Sequence, residues 1–190
     1  MIVFLFLFLL MPIHSTIVIR PIFTETAYQN NGWYETNSTS VKLNEIPSLR
    51  SFYSGSYYTW FILRLFYDTI TDEQLNNNPD ILKKYDRVIL LHNEYVTHNE
   101  YNAIMNHTNV FYAYPNSLYK YVELNKDTIT LGNMTNNPYS LSKTQYTNEY
   151  ENCGLDNIKI VEYPNGKGLN CFSGIEVLFN PLIIWNIISQ

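Results

Sequence analysis

The chain has 190 residues, enough for one domain with a substantial hydrophobic core. Twelve basic against seventeen acidic residues give a net charge of −5. With no basic stripe to hold phosphates, this balance argues against nucleic-acid binding.

The N-terminal segment from Met1 to Ile13 contains no charged or hydrogen-bonding side chain. It has the length of the apolar region of a signal peptide and is too short to span a bilayer as a helix. No Lys or Arg precedes it and no A-x-A-like cleavage site follows it, so cleavage and retention both stay open. We expect residues 1–15 to be a signal peptide or membrane anchor that exports the chain, leaving it secreted or anchored at the cell surface. Residues 16–190 are expected to form a single domain.

Sequons and cysteines agree with export. Acceptor sequons occur at Asn37, Asn106 and Asn133, which predicts a glycoprotein. Cys153 and Cys171 are the only cysteines, and in an exported chain an even pair predicts a disulfide, with two buried thiols as the alternative. Neither CxxC spacing nor a local His cluster indicates a metal site.

The first half of the domain begins with a predicted strand over residues 16–23 (TIVIRPIF), followed by a polar segment over residues 24–31. Trp33 and Tyr34 come next in a turn and are expected to be exposed. Residues 41–47 form a loop or an edge strand.

An aromatic stretch over residues 50–67 is ambiguous between strand and helix, and Trp60 and Phe61 are expected in the core. Thr71-Asp72-Glu73-Gln74 is a capping box that predicts a helix through about Asn77. Pro79 fits the first position of a short helix over residues 80–84.

A complete strand–helix–strand unit follows. Residues 87–91 and 110–114 are aliphatic and aromatic runs typical of buried strands. The capping box Thr97-His98-Asn99-Glu100 starts a helix between them. The two strands are expected to be parallel, with a right-handed crossover, so a binding crevice would lie at their carboxyl ends, residues 92–95 and 114–117.

The C-terminal third contains a predicted strand over residues 127–131 and a hairpin with arms at 157–163 and 169–172. Residues 164–168 (PNGKG) would form its loop. A disulfide between the two cysteines would link this hairpin to the segment that precedes it and would stabilise the fold by roughly 3 kcal/mol. Residues 175–188 are predicted to be a final apolar helix.

Four segments carry a family resemblance: PIFTETAY (21–28), LHNEYVT (91–97), YPNSLY (114–119) and GLNC (168–171). The chain, most clearly in residues 85–123, resembles class I glutamine amidotransferase-like domains, in particular the trehalose-utilisation (ThuA-like) branch. It also resembles uncharacterised exported archaeal proteins, from ammonia-oxidising archaea, that carry such a domain. The resemblance implies a flavodoxin-like α/β fold, a three-layer sandwich with a parallel central sheet, here with the C-terminal disulfide-stapled hairpin.

The chain departs from active members of that family. They carry a Cys between glycines after a central strand, and a His-x-Glu pair further on. Neither Cys153 nor Cys171 follows a βα strand, and no Gly-x-Cys-x-Gly is present. Glutaminase activity by that mechanism is therefore not expected.

The candidate catalytic pair is His92 and Glu94, which an extended backbone would place on one side as a general base and its orienting group. The alternative is that both residues hydrogen-bond locally in the loop. Glu25 would complete a three-ligand set with them, although we assign no metal and no cofactor. The candidate binding residues share a position at the predicted crevice: Glu25, Trp33, Asn93, Tyr95 and Asn116.

The expected function is a noncatalytic binding domain of the cell envelope, with a small molecule or a cell-surface glycan or protein as partner. The alternative is a hydrolase using His92 and Glu94, with or without a metal. Because polar side chains at strand ends do not hold a sheet together, Glu94→Ala and Asn116→Ala are expected to change stability by less than about 1 kcal/mol. Leu90→Ala should cost about 2–5 kcal/mol.

Overall fold

The computed structural model describes residues 15–29, 31–43, 55–132 and 159–169. Within these ranges the strands are β1 (Thr16–Arg20), β2 (Ser40–Lys42), β3 (Asp68–Thr71), β4 (Arg87–Leu90), β5 (Tyr95–Val96), β6 (Val110–Tyr112), β7 (Lys120–Asn125), β8 (Thr128–Leu131), β9 (Ile160–Tyr163) and β10 (Gly166–Leu169). The helices are α1 (Ile22–Ala27), α2 (Trp33–Thr36), α3 (Gly55–Leu63), α4 (Asp72–Asn77) and α5 (His98–Met105), with a 3₁₀ helix at Pro79–Lys84.

Several predictions fall on residues that lie outside the described ranges: the leader before Ser15, the sequon at Asn133, the two cysteines and the C-terminal helix. The described part of the chain contains no helix with the length and hydrophobicity that a membrane span requires.

The fold is α/β with a mixed main sheet. Its six strands lie in the order β3-β1-β4-β6-β10-β9, in which β9 is antiparallel to β10 and the other five strands are parallel. Ile17 of β1 is level with Asp68 of β3 on one side and Val88 of β4 on the other. A second sheet has the order β2-β8-β7-β5.

The strand order determines where a crevice would form. From β1 the chain goes first to β3 on one side, and then to β4, β6 and β10 on the other side. In open α/β sheets, ligands bind at the carboxyl ends of the strands where the connections diverge in this way. Here that point is the carboxyl edge between β1 and β4.

The hydrophobic core has two parts. One part covers a face of the main sheet, and its fully buried members include Ile17, Ile19 and Leu90 from the strands and Leu75 and Ile104 from the helices. The second part lies between α1 and the second sheet: Ile22, Phe23, Ala27, Trp33, Tyr95, Val122 and Ile129. Because α1 and β5 directly follow β1 and β4, this second core covers the carboxyl edge.

Both capping boxes are confirmed. The Thr71 hydroxyl accepts the Gln74 N–H and begins α4, and the Thr97 hydroxyl accepts the Glu100 N–H and begins α5. The parallel pairing of β4 and β6 around α5 is confirmed as well. Pro79 occupies the first turn of the 3₁₀ helix, as predicted.

The predicted first strand is too long at its end. It stops at Arg20, and residues 22–27 form α1 rather than strand and polar loop. Pro21, with φ −83°, has no N–H to give to a sheet and suits the position before a helix. Ile22 and Phe23 therefore pack against the second sheet as part of a helix.

Two predictions about aromatic residues are wrong. Trp33 is 6% exposed, because it begins α2 and packs edge-on against Tyr95 at a ring distance of 4.7 Å. Phe61, expected in the core, is 41% exposed on the outer face of α3. Trp60 is half-buried.

The hairpin is confirmed, but its turn is shorter than predicted. Pro164 and Asn165 alone connect the arms, and Gly166 pairs with Tyr163. The predicted loop glycines belong to β10, which lies beside β6. A Cβ at Gly166 would meet the backbone of Val110, so glycine permits this strand pairing.

Candidate functional site

The segments that follow β1, β4 and β6 meet at the carboxyl edge of the main sheet. The Thr24 hydroxyl, in α1, accepts the backbone N–H groups of Glu94 at 3.0 Å and Tyr95 at 3.2 Å. Leu118 and Tyr119 donate their N–H groups to the carbonyls of Asn93 and Glu94, at 2.7 and 2.9 Å. The carboxyl ends of β1, β4 and β6 are thus joined by hydrogen bonds between their loops.

The candidate catalytic pair lies beneath this junction. His92 is 2% exposed and Glu94 is 1% exposed. The Tyr28 hydroxyl donates to Glu94 Oε2 at 2.7 Å, and His92 Nε2 lies 3.5 Å from the same oxygen. The His92 ring is 3.9 Å from the Tyr114 ring and stacks on Tyr28 at 6.0 Å. Two tyrosine rings therefore separate the pair from solvent.

His92 Nε2 has no hydrogen-bond partner among the described residues. An imidazole nitrogen beside a carboxylate can accept or release a proton, which is the chemistry of a general base. In this arrangement, however, Tyr28 holds the Glu94 oxygen that would orient the ring. The pair can work on a substrate only if Tyr28 moves.

Two predicted binding residues have buried side chains that make contacts within the protein. Asn93 is fully buried; its Oδ1 accepts the Leu91 N–H and its Nδ2 donates to Asp72 Oδ1 at 2.6 Å. Tyr95 is 1% exposed and belongs to the second core together with Trp33. These side chains are not accessible to a ligand in this structure. Asn116 is half-buried and stays at the surface.

Glu25 is engaged in a buried ion pair. Arg20 Nε and Nη2 donate to Glu25 Oε2 at 3.1 and 2.9 Å. The Arg20 guanidinium also lies over the rings of Tyr57 and Trp60, 4.8 and 4.7 Å from their centres. Desolvation raises the pKa of Glu25 to about 7, although Arg20 opposes this shift.

The hypothetical three-ligand set is not assembled. Glu25 faces Arg20, whereas His92 and Glu94 face Tyr28. Across the described ranges, no group of three or more His, Cys, Asp or Glu side chains is arranged to hold a metal ion.

The strongest feature of the site was not singled out from the sequence. Asp72 and Glu100, each in the first turn of a helix, are 0% and 1% exposed. Asp72 Oδ2 accepts the Phe23 N–H at 3.0 Å, and Glu100 Oε2 accepts the Thr97 N–H and hydroxyl at 2.8 and 2.9 Å. We refer to Asp72, Glu100 and Asn93 as the carboxyl network, which ties the ends of β1, β3 and β4 together.

The burial of Asp72 and Glu100 and their proximity favour the protonated forms of both carboxyl groups. Desolvation raises the pKa of Asp72 to about 7, and desolvation together with the Asp72 charge raises the pKa of Glu100 well above its ordinary value.

Two cavities lie at the opposite, amino edge of the sheet. One, of about 450 Å³, lies between the 3₁₀ helix and α5, and Tyr85, Asn102 and His107 are among its lining residues. Another, of about 360 Å³, lies beside the hairpin turn at Asn165.

The sequon residues Asn37 and Asn106 are exposed, so both are accessible for glycosylation.

No family model matches the sequence, and no curated protein matches it. The geometry of the described residues therefore provides the basis for assigning a function.

The burial of Glu94 changes the expected effect of its removal. Glu94→Ala leaves the Tyr28 hydroxyl without its acceptor beside a buried imidazole, so we expect a loss of about 1–3 kcal/mol of unfolding free energy. Asn116→Ala, at a half-buried position, should remain within about 1 kcal/mol, and Leu90→Ala should still cost about 2–5 kcal/mol. Urea unfolding of the three variants tests this order, and a Glu94 variant as stable as the Asn116 variant would contradict it.

Proposed function

We propose that the chain is an exported, N-glycosylated, noncatalytic binding domain built on a class I glutamine amidotransferase-like scaffold. Numbered along the chain, the parallel strands β3-β1-β4-β6-β10 have the order 2-1-3-4-5, which is the flavodoxin-like order. The resemblance of residues 85–123 and the apolar leader support the family and the export. The proposal includes the disulfide between Cys153 and Cys171.

The observation that carries the noncatalytic assignment is the burial of the candidate catalytic pair. His92 and Glu94 lie under Tyr28 and Tyr114, and their exposures of 2% and 1% leave no approach for a substrate in this arrangement. A ligand at this edge would instead contact the residues above the pair that are still partly exposed.

The surface above the pair contains Tyr28, Asn116 and Tyr119, all half-buried, which we call the rim. The Tyr28 hydroxyl donates to the Glu94 side chain, and the Tyr119 N–H donates to the Glu94 carbonyl. Both rim tyrosines therefore lie around Glu94. Aromatic faces with a polar edge and one amide match the rings and hydroxyls of a sugar. A neutral glycan is therefore the ligand class that fits the rim best.

Binding of the purified protein to a glycan library tests this function. For any glycan bound, Tyr119→Ala and Asn116→Ala should each weaken binding by about tenfold or more, since each removes a direct contact. Matched controls are Tyr58→Ala and Asn102→Ala, at exposed positions on α3 and α5, which should bind normally. Absence of glycan binding, or equal affinities for rim and control variants, would overturn the proposal.

A hydrolase is the second candidate, favoured by the 3.5 Å distance between His92 Nε2 and Glu94 Oε2. In that case Tyr28 would move aside and His92 would act as general base. Ester and amide substrates tested with the wild type and His92→Gln separate the two functions. Turnover that His92→Gln abolishes would establish the hydrolase, and a stoichiometric metal lost in the same variant would make it metal-assisted.

A further inference from the structure

Exposed apolar side chains are concentrated in one short segment. Tyr58, Phe61, Leu65 and Phe66 are 39%, 41%, 66% and 57% exposed. Within the described ranges the one other large apolar side chain of comparable exposure is Ile160, at 42%. We call these four residues the α3 patch. Such a concentration marks an interaction surface rather than the scattered exposure of a typical protein surface.

The α3 patch ends at the amino edge of the main sheet. Phe66 lies in the turn two residues before Asp68, which begins β3 and is level with Ile17 of β1. Ser15 comes two residues before Ile17, at the same edge. The apolar leader therefore joins the domain at the edge where the patch ends.

Positive charge accompanies the apolar side chains. Arg64 is exposed, and its guanidinium lies 4.3 Å from the centre of the Phe61 ring and 5.2 Å from that of Trp60. At the same edge Lys84 is exposed together with Asp68 and Asp86, so the charge that lies within the patch itself is that of Arg64. Aromatic and aliphatic side chains next to Arg are the composition of a surface that inserts shallowly into an anionic bilayer.

We propose that the α3 patch is a membrane-contact surface that inserts Leu65 and Phe66 into the interface of an anionic lipid bilayer. This inference rests on the proposed export and adds an orientation to it. The amino edge faces the membrane, next to the leader, and the rim at the carboxyl edge faces away from it. The domain would thus present the rim to ligands outside the membrane.

Hydrogen exchange of the full chain tests the contact. Exchange is measured without lipid, with vesicles of phosphatidylcholine alone, and with phosphatidylcholine mixed with phosphatidylglycerol. Residues 58–67 should gain protection on the anionic vesicles, and residues 114–119 at the rim should not. Protection of the leader alone would overturn the patch while export and anchoring stand, and absence of any vesicle binding would overturn the patch and the anchoring but not the export.

A double substitution, Leu65→Ser with Phe66→Ser, tests the energy of the contact. Removing two apolar side chains from the interface should weaken partitioning onto the anionic vesicles by about tenfold or more. Ile160→Ser is the matched control, because Ile160 is similarly exposed but lies at the carboxyl edge, opposite Leu169. Unchanged partitioning of the double variant would overturn the proposal. So would a lipid-free dimer that the double variant dissociates, since the patch would then be an interface between two copies.

Discussion

Replacement of Asp72 by Ala is expected to lower the free energy of unfolding by about 3–5 kcal/mol. The Asp72 carboxyl group is fully buried and accepts hydrogen bonds from the Phe23 N–H and Asn93 Nδ2. These two donors come from the segments that follow β1 and β4. Alanine would leave both of them buried without an acceptor. Urea unfolding followed by circular dichroism at pH 6 measures the loss.

Two variants make this result specific to the carboxyl network. Asp72→Asn keeps the shape and one oxygen acceptor, so it should lose less stability than Asp72→Ala. Asp127→Ala removes an exposed aspartate that pairs with Lys42 on the surface, and should change stability by less than about 1 kcal/mol. If Asp72→Ala were as mild as Asp127→Ala, the network would not be holding the strand ends together.

Helices that begin with a capping box were predicted correctly, because that signal lies within a few neighbouring residues. Thr71 and Thr97 each precede a Gln or Glu by three residues, and both begin helices with the reciprocal bonds of a capping box. The prediction failed where local signals were weak. β3 was missed because Asp68–Thr71 is four residues long and contains one buried residue, Ile70. α1 was missed because IVIRPIF has strand propensity and the helix has no side-chain cap.

The meeting of the loops at the carboxyl edge was predicted, but the side-chain contacts found there were not. Parallel strands bring their carboxyl ends together, so the meeting of the three loops followed from the order of elements. Asp72 and Glu100 appeared only as parts of two separate capping boxes. That they touch depends on β3 and β4 flanking β1, and the sequence contains no local signal of that strand order. The burial of Glu94 under Tyr28 likewise depends on α1, which was not predicted.

The buried carboxyl groups of Glu25, Asp72 and Glu100 also predict an unusual pH dependence. The pKa values of Glu25 and Asp72 are raised to about 7, and that of Glu100 is raised well above its ordinary value, mainly by desolvation. In the unfolded chain the same groups titrate near pH 4. Between about pH 4 and pH 7 the folded state therefore binds more protons than the unfolded state, and the unfolding free energy falls as the pH rises. The contribution of these groups is complete at low pH and is lost above the raised pKa values.

Urea unfolding at pH 5 and pH 8 measures this dependence. We expect the protein to be more stable at pH 5 by several kcal/mol, since one pKa unit corresponds to about 1.4 kcal/mol. Many proteins lose stability on acidification because their native carboxylates are paired and ionised. Equal stability at the two pH values, or greater stability at pH 8, would show that the buried carboxyl groups are ionised in the folded protein.

Glu100→Gln should remove much of this pH dependence. Glutamine is accepted at the third position of a capping box, so its oxygen can replace Glu100 Oε2 as the acceptor of the two Thr97 donors. Its amide nitrogen would take the place of Oε1, which has no hydrogen-bond partner among the described residues, and the amide carries no charge at any pH. The variant should match the wild type within about 1 kcal/mol at pH 5 and be more stable than the wild type at pH 8.

Glu123→Gln, at an exposed position on β7, is the control and should keep the wild-type pH profile. A Glu100→Gln variant that is several kcal/mol less stable at both pH values would show that Glu100 is ionised in the folded protein, because only then is the carboxylate itself necessary.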